Sequence, residues 1–144
     1  MEILVVIAVL GILLAIIIPQ FSKMKESQVL KNATSDIMSS LNKAQSRTLA
    51  SVNSFSYGVH FQSDQIIIFK GIVFSAGSAD NETINIVSPA TISNVTLGGV
   101  SGSSGDVYFN RLSGVPDKTG TITVAVPSFS KVITLSATGG ASSN

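Results

Sequence analysis

Few residues in this chain of 144 could do covalent chemistry, and their spacing does not group them. There is no Cys, which removes thiol catalysis, structural disulfides and Cys-ligated metals. The one histidine, His60, cannot build a His-rich metal site. It lies between Val59 and Phe61 in an alternating stretch and reads as a strand histidine, not as a ligand or base. Asp80 and Glu82 flank Asn81 in an acidic loop. They fall short of the roughly six to eight oxygens that Ca²⁺ takes, and read as solvated. No Ser-His-Asp set and no carboxylate pair has supporting context. Gly-Ser-Ser-Gly at 102–105 neither follows a strand nor opens a helix, as a phosphate loop must. Nine basic and eight acidic side chains give a net charge of +1, and the basic ones are scattered. Lys118, Arg111 and Lys131 could form a small patch, but so few charges carry little phosphate affinity, so DNA binding is not expected. Sequons at Asn32, Asn81 and Asn94 are about what chance gives in a chain this rich in Ser and Thr. These absences point away from an enzyme and toward a protein with no metal and no cofactor.

The carboxylate that stands out is Glu2, and its chemistry is that of an ion pair. It borders Ile3–Ile18, ILVVIAVLGILLAIII, a run without a charge. A carboxylate there is costly unless something pairs with it. Two readings follow. Glu2 sits at headgroup level, where the helix macrodipole favours an anion, or it awaits a cation from another subunit.

The element that carries Glu2 is set by composition. Of the first 21 residues, 17 are apolar, in a chain that is only 12% charged overall. As a helix, Ile3–Ile18 spans about 24 Å, and adding Phe21 brings it to about 28 Å, close to a bilayer core of about 30 Å. A secretory signal would carry a basic n-region and a small-residue cleavage site. This run instead begins after Glu2 and ends in Pro19-Gln20-Phe21-Ser22-Lys23. Residues 1–21 are therefore expected to form a transmembrane or subunit-buried helix segment, and 22–144 a globular domain.

The segment MEILVVIAVLGILLAIIIPQF resembles the N-terminus of type IV pilins and of type II secretion pseudopilins. The family pattern is a Glu, an apolar run with a Gly nine residues on, and a Pro eight residues after that Gly. Glu2, Gly11 and Pro19 stand on those positions. The resemblance implies that all three serve assembly. It also implies that Ile3, Leu4, Val5, Val6, Ile7, Leu10, Leu13, Leu14, Ile17 and Phe21 line a filament core. Family chains are made with a short basic leader, cut after a Gly by a prepilin peptidase, and start with an N-methylated residue a few positions before the Glu. This sequence starts one residue before its Glu, so that leader and the first mature residues are expected to precede Met1. The implied partner of Glu2 is the free α-amine of an adjacent subunit. In the family the stretch between the Gly and the Pro can lose helical structure on assembly.

Beyond Pro19 the apolar period becomes helical. Leu30, Ile37 and Ala44 recur every seven residues, with Thr34, Leu41 and Thr48 offset by four, and Ala33, Met38 and Leu49 widen the stripe. No Gly or Pro occurs from Gln20 to Val52. One helix is expected from residue 2 or 3 to about Ala50, interrupted or bent near Pro19. Its first half is apolar all round, and its second half needs only one covering layer.

From Ser54 the period is two. Phe55–Phe61 and Gln65–Lys70 form a hairpin about Gln62-Ser63-Asp64. Further strands are expected at Ile84–Val87, Thr91–Leu97, Asp106–Asn110, Thr119–Val126 and Lys131–Ser136, the last two joined through Pro127–Ser130. Gly98–Gly105 reads as a flexible loop and Ser136–Asn144 as a frayed tail. The fold class is α+β, with a long N-terminal helix packed on an antiparallel sheet, pilin-like in outline. VYFNRLSGVPDKTGTITVAV and KVITLSATGG are also similar to the C-terminal pattern of H-type minor pseudopilins, with Phe109, Gly114, Gly120 and Gly139 in comparable places. The Ala44-Gln45-Ser46 and Tyr57-Gly58-Val59 stretches fit that pattern too. Many members close this region with a disulfide. Here the last hairpin is expected to hold by packing and ladder bonds alone.

Three functions follow from the resemblance and the residues. The first is a structural subunit of a type IV pilus-like filament (a fimbrium). It would be held in the inner membrane, then assembled by self-association into an extracellular helical filament that serves adhesion or related surface roles. The second is a minor pseudopilin of a secretion or DNA-uptake machine. The third, of another class, is a membrane-anchored binding module, which needs no Glu–Gly–Pro spacing.

Overall fold

The computed structural model describes residues 2–144 of the chain, and the side chains of Ile17, Ile18 and Pro19 lie outside the described residues. The core and assembly roles expected of Ile17 and Pro19 fall among those side chains. The first element, α1, is one helix over Glu2–Leu49, 48 residues and about 72 Å long. The helical run continues through Pro19, so the expected interruption is absent. Proline removes one backbone donor, and the bonds on either side can keep the helix continuous.

Nine strands follow, all paired antiparallel. They are β1 (Tyr57–Phe61), β2 (Gln65–Lys70), β3 (Glu82–Asn85), β4 (Thr91–Leu97), β5 (Val100–Gly102), β6 (Gly105–Tyr108), β7 (Gly120–Val126), β8 (Phe129–Leu135) and β9 (Ala141–Ser143). The expected single sheet is two, ordered β3-β2-β1-β6 and β5-β4-β7-β8-β9. The second half of α1 packs on β1 and β2 of the first sheet and on β7, β8 and β9 of the second.

The period-two and helical patterns meet in one core. Leu30, Ala33, Ile37, Leu41 and Ala44 of α1 are buried against Val59, Phe61, Ile66 and Ile68 of the first sheet and Ile92, Val95, Ile122, Val124 and Ile133 of the second. Side chains alternate across a strand. Gly58, His60, Ile67 and Phe69 therefore face the other side of the first sheet, where Phe74 folds over Phe69 and His60. Thr34 and Thr48 complete the buried stripe because each hydroxyl donates to the carbonyl four residues earlier. Thr48 also accepts the Tyr57 N–H at 2.9 Å, which fixes the start of β1 to the helix end. Leu49, expected in the stripe, is exposed, whereas Ser40 is buried through a bond to the Asp36 carbonyl.

Two segments expected to be loose are strands. Val100–Gly102, inside the Gly-rich stretch, pairs with β4 once Gly98 and Gly99 turn the chain at positive φ. Ala141–Ser143, inside the tail, pairs with β8. Composition hid both, because a ladder needs only backbone groups and a partner in register. The β7–β8 connection is shorter than expected, since Val126 already pairs with Phe129.

The C-terminal region has a clamp beyond packing and ladder bonds. The Gln45 Nε2 donates to the carbonyls of Gly114, at 2.9 Å, and Thr138, at 3.1 Å. This ties the β6–β7 loop and the β8–β9 turn to one helix side chain. Gly139 makes room for it. Its φ is +86°, and a Cβ there would lie 2.2 Å from Gln45 Nε2 and 2.8 Å from the Gly114 oxygen. Gly120 is required by close approach, since its Cβ would lie 1.9 Å from the Thr96 carbonyl oxygen.

Candidate functional site

The described residues present two surfaces of opposite kind. The sheets cover α1 from about Glu26 onward, where the Ser128 N–H of the β7–β8 turn donates to the Glu26 carboxylate at 3.2 Å. Below that level, among the described residues, nothing covers the helix. Large apolar side chains between Ile3 and Phe21, among them Leu4, Val5, Val6, Ile7, Leu10, Leu13 and Leu14, are 50–75% exposed. Burying a side chain of this size is worth about 1.5–3 kcal/mol. The band therefore withholds on the order of 10–20 kcal/mol of burial that only lipid or other protein can supply. It is a helix long and apolar enough to cross a membrane.

Glu2 lies in the first turn, exposed. The nearest basic side chain along the helix is Lys23, 21 residues on and about 31 Å away, out of reach within one copy. Gly11 sits inside the helix and, apart from the backbone of its own turns, no described atom lies within 4 Å of where a Cβ would be. The chain's own packing therefore does not require glycine there. Glu2 and Gly11 lie on one rod about 14 Å apart along the axis.

The other chemistry-bearing residues do not converge. No group of three His, Asp or Glu side chains is placed to hold a metal among the described residues. Glu82, expected in a solvated loop, opens β3 and binds the helix, with one oxygen on Lys43 and the other 2.9 Å from Arg47. Asp80 lies 3.5 Å from Lys70. Lys118 lies 3.6 Å from Asp117 and 3.9 Å from Asp106, so its charge is offset, while Arg111 is exposed in the β6–β7 loop. Lys131 instead lines a groove of about 440 Å³ between α1 and the β8–β9 edge, with Lys31, Ser35 and Asn42.

His60 stacks on Phe74 with ring centroids 3.9 Å apart, and its Nδ1 is buried without a hydrogen-bond partner. Burial lowers the pKa of this imidazole, against the opposing pull of Asp106 on the paired strand. The hydrogen bond from Lys43 lowers the pKa of the Glu82 carboxyl; burial opposes it and Arg47 adds to it. In both cases the unfolded chain holds the proton more tightly. Each contribution to stability is therefore complete above the ordinary pKa and is lost as pH falls through the folded one. The melting temperature is expected to fall in two steps on acidification. The first begins below about 6.5 and disappears in His60→Gln; the second begins below about 4.5 and disappears in Glu82→Gln. The second step is small, under about 1 kcal/mol, because the Glu82 pairs are open to solvent. A melting temperature that stays flat from neutral pH to about pH 4.5 contradicts the His60 assignment, and an acid limb below about pH 4.5 that is the same in Glu82→Gln contradicts the Glu82 assignment.

Sequence reasoning found the exposed band, but missed the Glu26 and Gln45 contacts that decide where coverage of the helix starts and how the last hairpin is held. Polar residues on a helix carry no mark in sequence of which loop they meet. Comparison with protein-family models, curated proteins and solved structures finds no match to this chain.

Proposed function

We propose that this chain is a structural subunit, not an enzyme, of a type IV pilin-like extracellular filament. The observation that carries the reading is the apolar half of α1, which the chain's own two sheets leave bare while they cover the second half of the same helix. Such a band needs lipid before assembly and the helices of other copies after it. Prepilin peptidase and an assembly machine in the inner membrane are the implied partners. The Glu2–Gly11–Pro19 spacing supports the same reading. A glycine that no side chain of its own chain packs against suits the close approach of a neighbouring helix. The C-terminal resemblance favours a second reading, a minor pseudopilin at the tip of a short filament. The two differ in copy number, which subunit abundance in isolated filaments separates. In a membrane-anchored module that never assembles, the helix would remain in lipid and Glu2 would need no cationic partner.

The role of Glu2 gives the test. In a filament core an unpaired carboxylate costs several kcal/mol, so a cation from another copy must meet it or the group must protonate. Such a pair also sets axial register. Glu2→Ala, made in the full precursor gene, is expected to leave the domain folded and membrane insertion intact, while filament number falls by at least about tenfold, the equivalent of about 1.4 kcal/mol per joint. Filaments of normal number and length would return Glu2 to a headgroup-level carboxylate.

A further inference from the structure

We infer that the pole of the globular domain nearest the apolar half of α1 is a docking surface for an anionic phospholipid bilayer. The inference rests on the reading that Glu2–Phe21 crosses a membrane, and adds which lipid chemistry the domain meets there. Three observations place it. The first is axial. Phe21 ends a stretch of about 28 Å, and Lys23, Met24, Lys25 and Glu26 follow within about 8 Å along the helix, which is the depth of the headgroup layer. The Ser128–Glu26 bond holds the β7–β8 turn at that same level. A rigid part of the domain, not a linker, thus stands where the hydrocarbon ends.

The second observation is the kind of side chain shown at this pole. Phe21 and Met24 are each 72% exposed, and Phe129, at the turn, is 43% exposed. Exposed Phe and Met side chains flanked by lysines form the kind of surface that lies in the interface of a bilayer. The third is charge. Lys23 and Lys25 stand in no ion pair among the described residues, and neither do Lys31 and Lys131, farther from the apolar end. Glu26 is the one acid at this level of the helix, and the turn's N–H occupies it. A cationic collar around exposed aromatic and thioether groups complements anionic headgroups over a hydrocarbon edge. Tilting of α1 toward the β7–β8 side, within the ordinary range of about 20°, presses Phe129 into that layer.

The chain has no native Cys, so a spin label can be placed at single introduced cysteines. The full chain is reconstituted in vesicles of phosphatidylcholine alone and of phosphatidylcholine mixed with phosphatidylglycerol. Label depth is read at Ser128→Cys and at Leu10→Cys from relaxation by oxygen against a water-soluble nickel chelate. The Ser128 label is expected deep in the headgroup layer in the anionic mixture, with α1 tilted toward the β7–β8 side, and at its watery edge in phosphatidylcholine alone, where no charge draws the turn in. Lys23→Gln with Lys25→Gln is expected to shift its docked-to-free ratio by about 30-fold toward water, at roughly fivefold per lysine. A Ser128 label at one depth in both lipids, or one that ignores the two lysines, overturns the inference. If the Leu10 label is then still deep in hydrocarbon, the membrane-spanning reading survives. A Leu10 label found in water overturns both.

Discussion

Leu41→Asp is expected to abolish cooperative folding of the globular domain. Leu41 is fully buried on the helix stripe, in the same core as Val59 and Phe61 of one sheet and Ile122 and Ile133 of the other. Losing the leucine alone costs about 2–5 kcal/mol. Placing a carboxylate in that core adds several kcal/mol more, since no cation is positioned to meet it. Lys43 and Arg47, the nearest basic residues in sequence, already bind Glu82 at the edge of the first sheet. A domain of this size is stable by about 5–15 kcal/mol in total, so the sum consumes most or all of it. Circular dichroism melting of the soluble domain reads the outcome. Val73→Asp is the control: Val73 is 75% exposed, and the domain should melt as before. An unchanged transition in Leu41→Asp would mean that the buried face of α1 is another one.

The second large effect concerns where the chain is cut. Residues 25–144 are expected to be a monodisperse soluble monomer, while the full chain requires detergent, lipid or a filament. Coverage of the helix begins at Glu26, and the cut removes the band from Ile3 to Phe21 while leaving the packed half whole. The exposed band withholds on the order of 10–20 kcal/mol of burial, against which no surface charge on this chain can keep it dispersed. Sedimentation of both forms in plain buffer checks it. A full-length chain that sediments as a monomer without detergent would remove the need for any covering partner.

The parts legible from sequence are those written by periodicity. The seven-residue recurrence of Leu30, Ile37 and Ala44 located the buried stripe, and the alternation around Val59 and Phe61 located the first hairpin, because burial acts on side chains of a fixed period. What stayed hidden is written in the backbone. β5 and β9 are built from Val, Ser, Gly and Ala, residues with little apolar surface to declare a face. They are strands because β4 and β8 offer ladder partners. The division into two sheets was equally silent, since a strand's pattern says that one face is buried and not which neighbour it takes. Glu82 misled for another reason. A carboxylate in a polar stretch looks solvated until its partners, Lys43 and Arg47 on a helix 35 and more residues away, are brought to it by the fold. In the candidate site the composition of residues 3–21 carried the signal directly, while the level at which coverage starts depended on one contact, Ser128 to Glu26.

The central claim is that the bare half of α1 is covered by the same half of other copies. Electron microscopy of filaments sheared from cells that express the full precursor gene, reconstructed far enough to trace helices, tests it most directly. The expected result is a filament whose interior is built from residues 2–21 of successive copies, with the two-sheet domains outside. A filament whose helices lie apart from one another, or cells that hold the chain in the membrane as single copies and build no filament from it, would contradict the account.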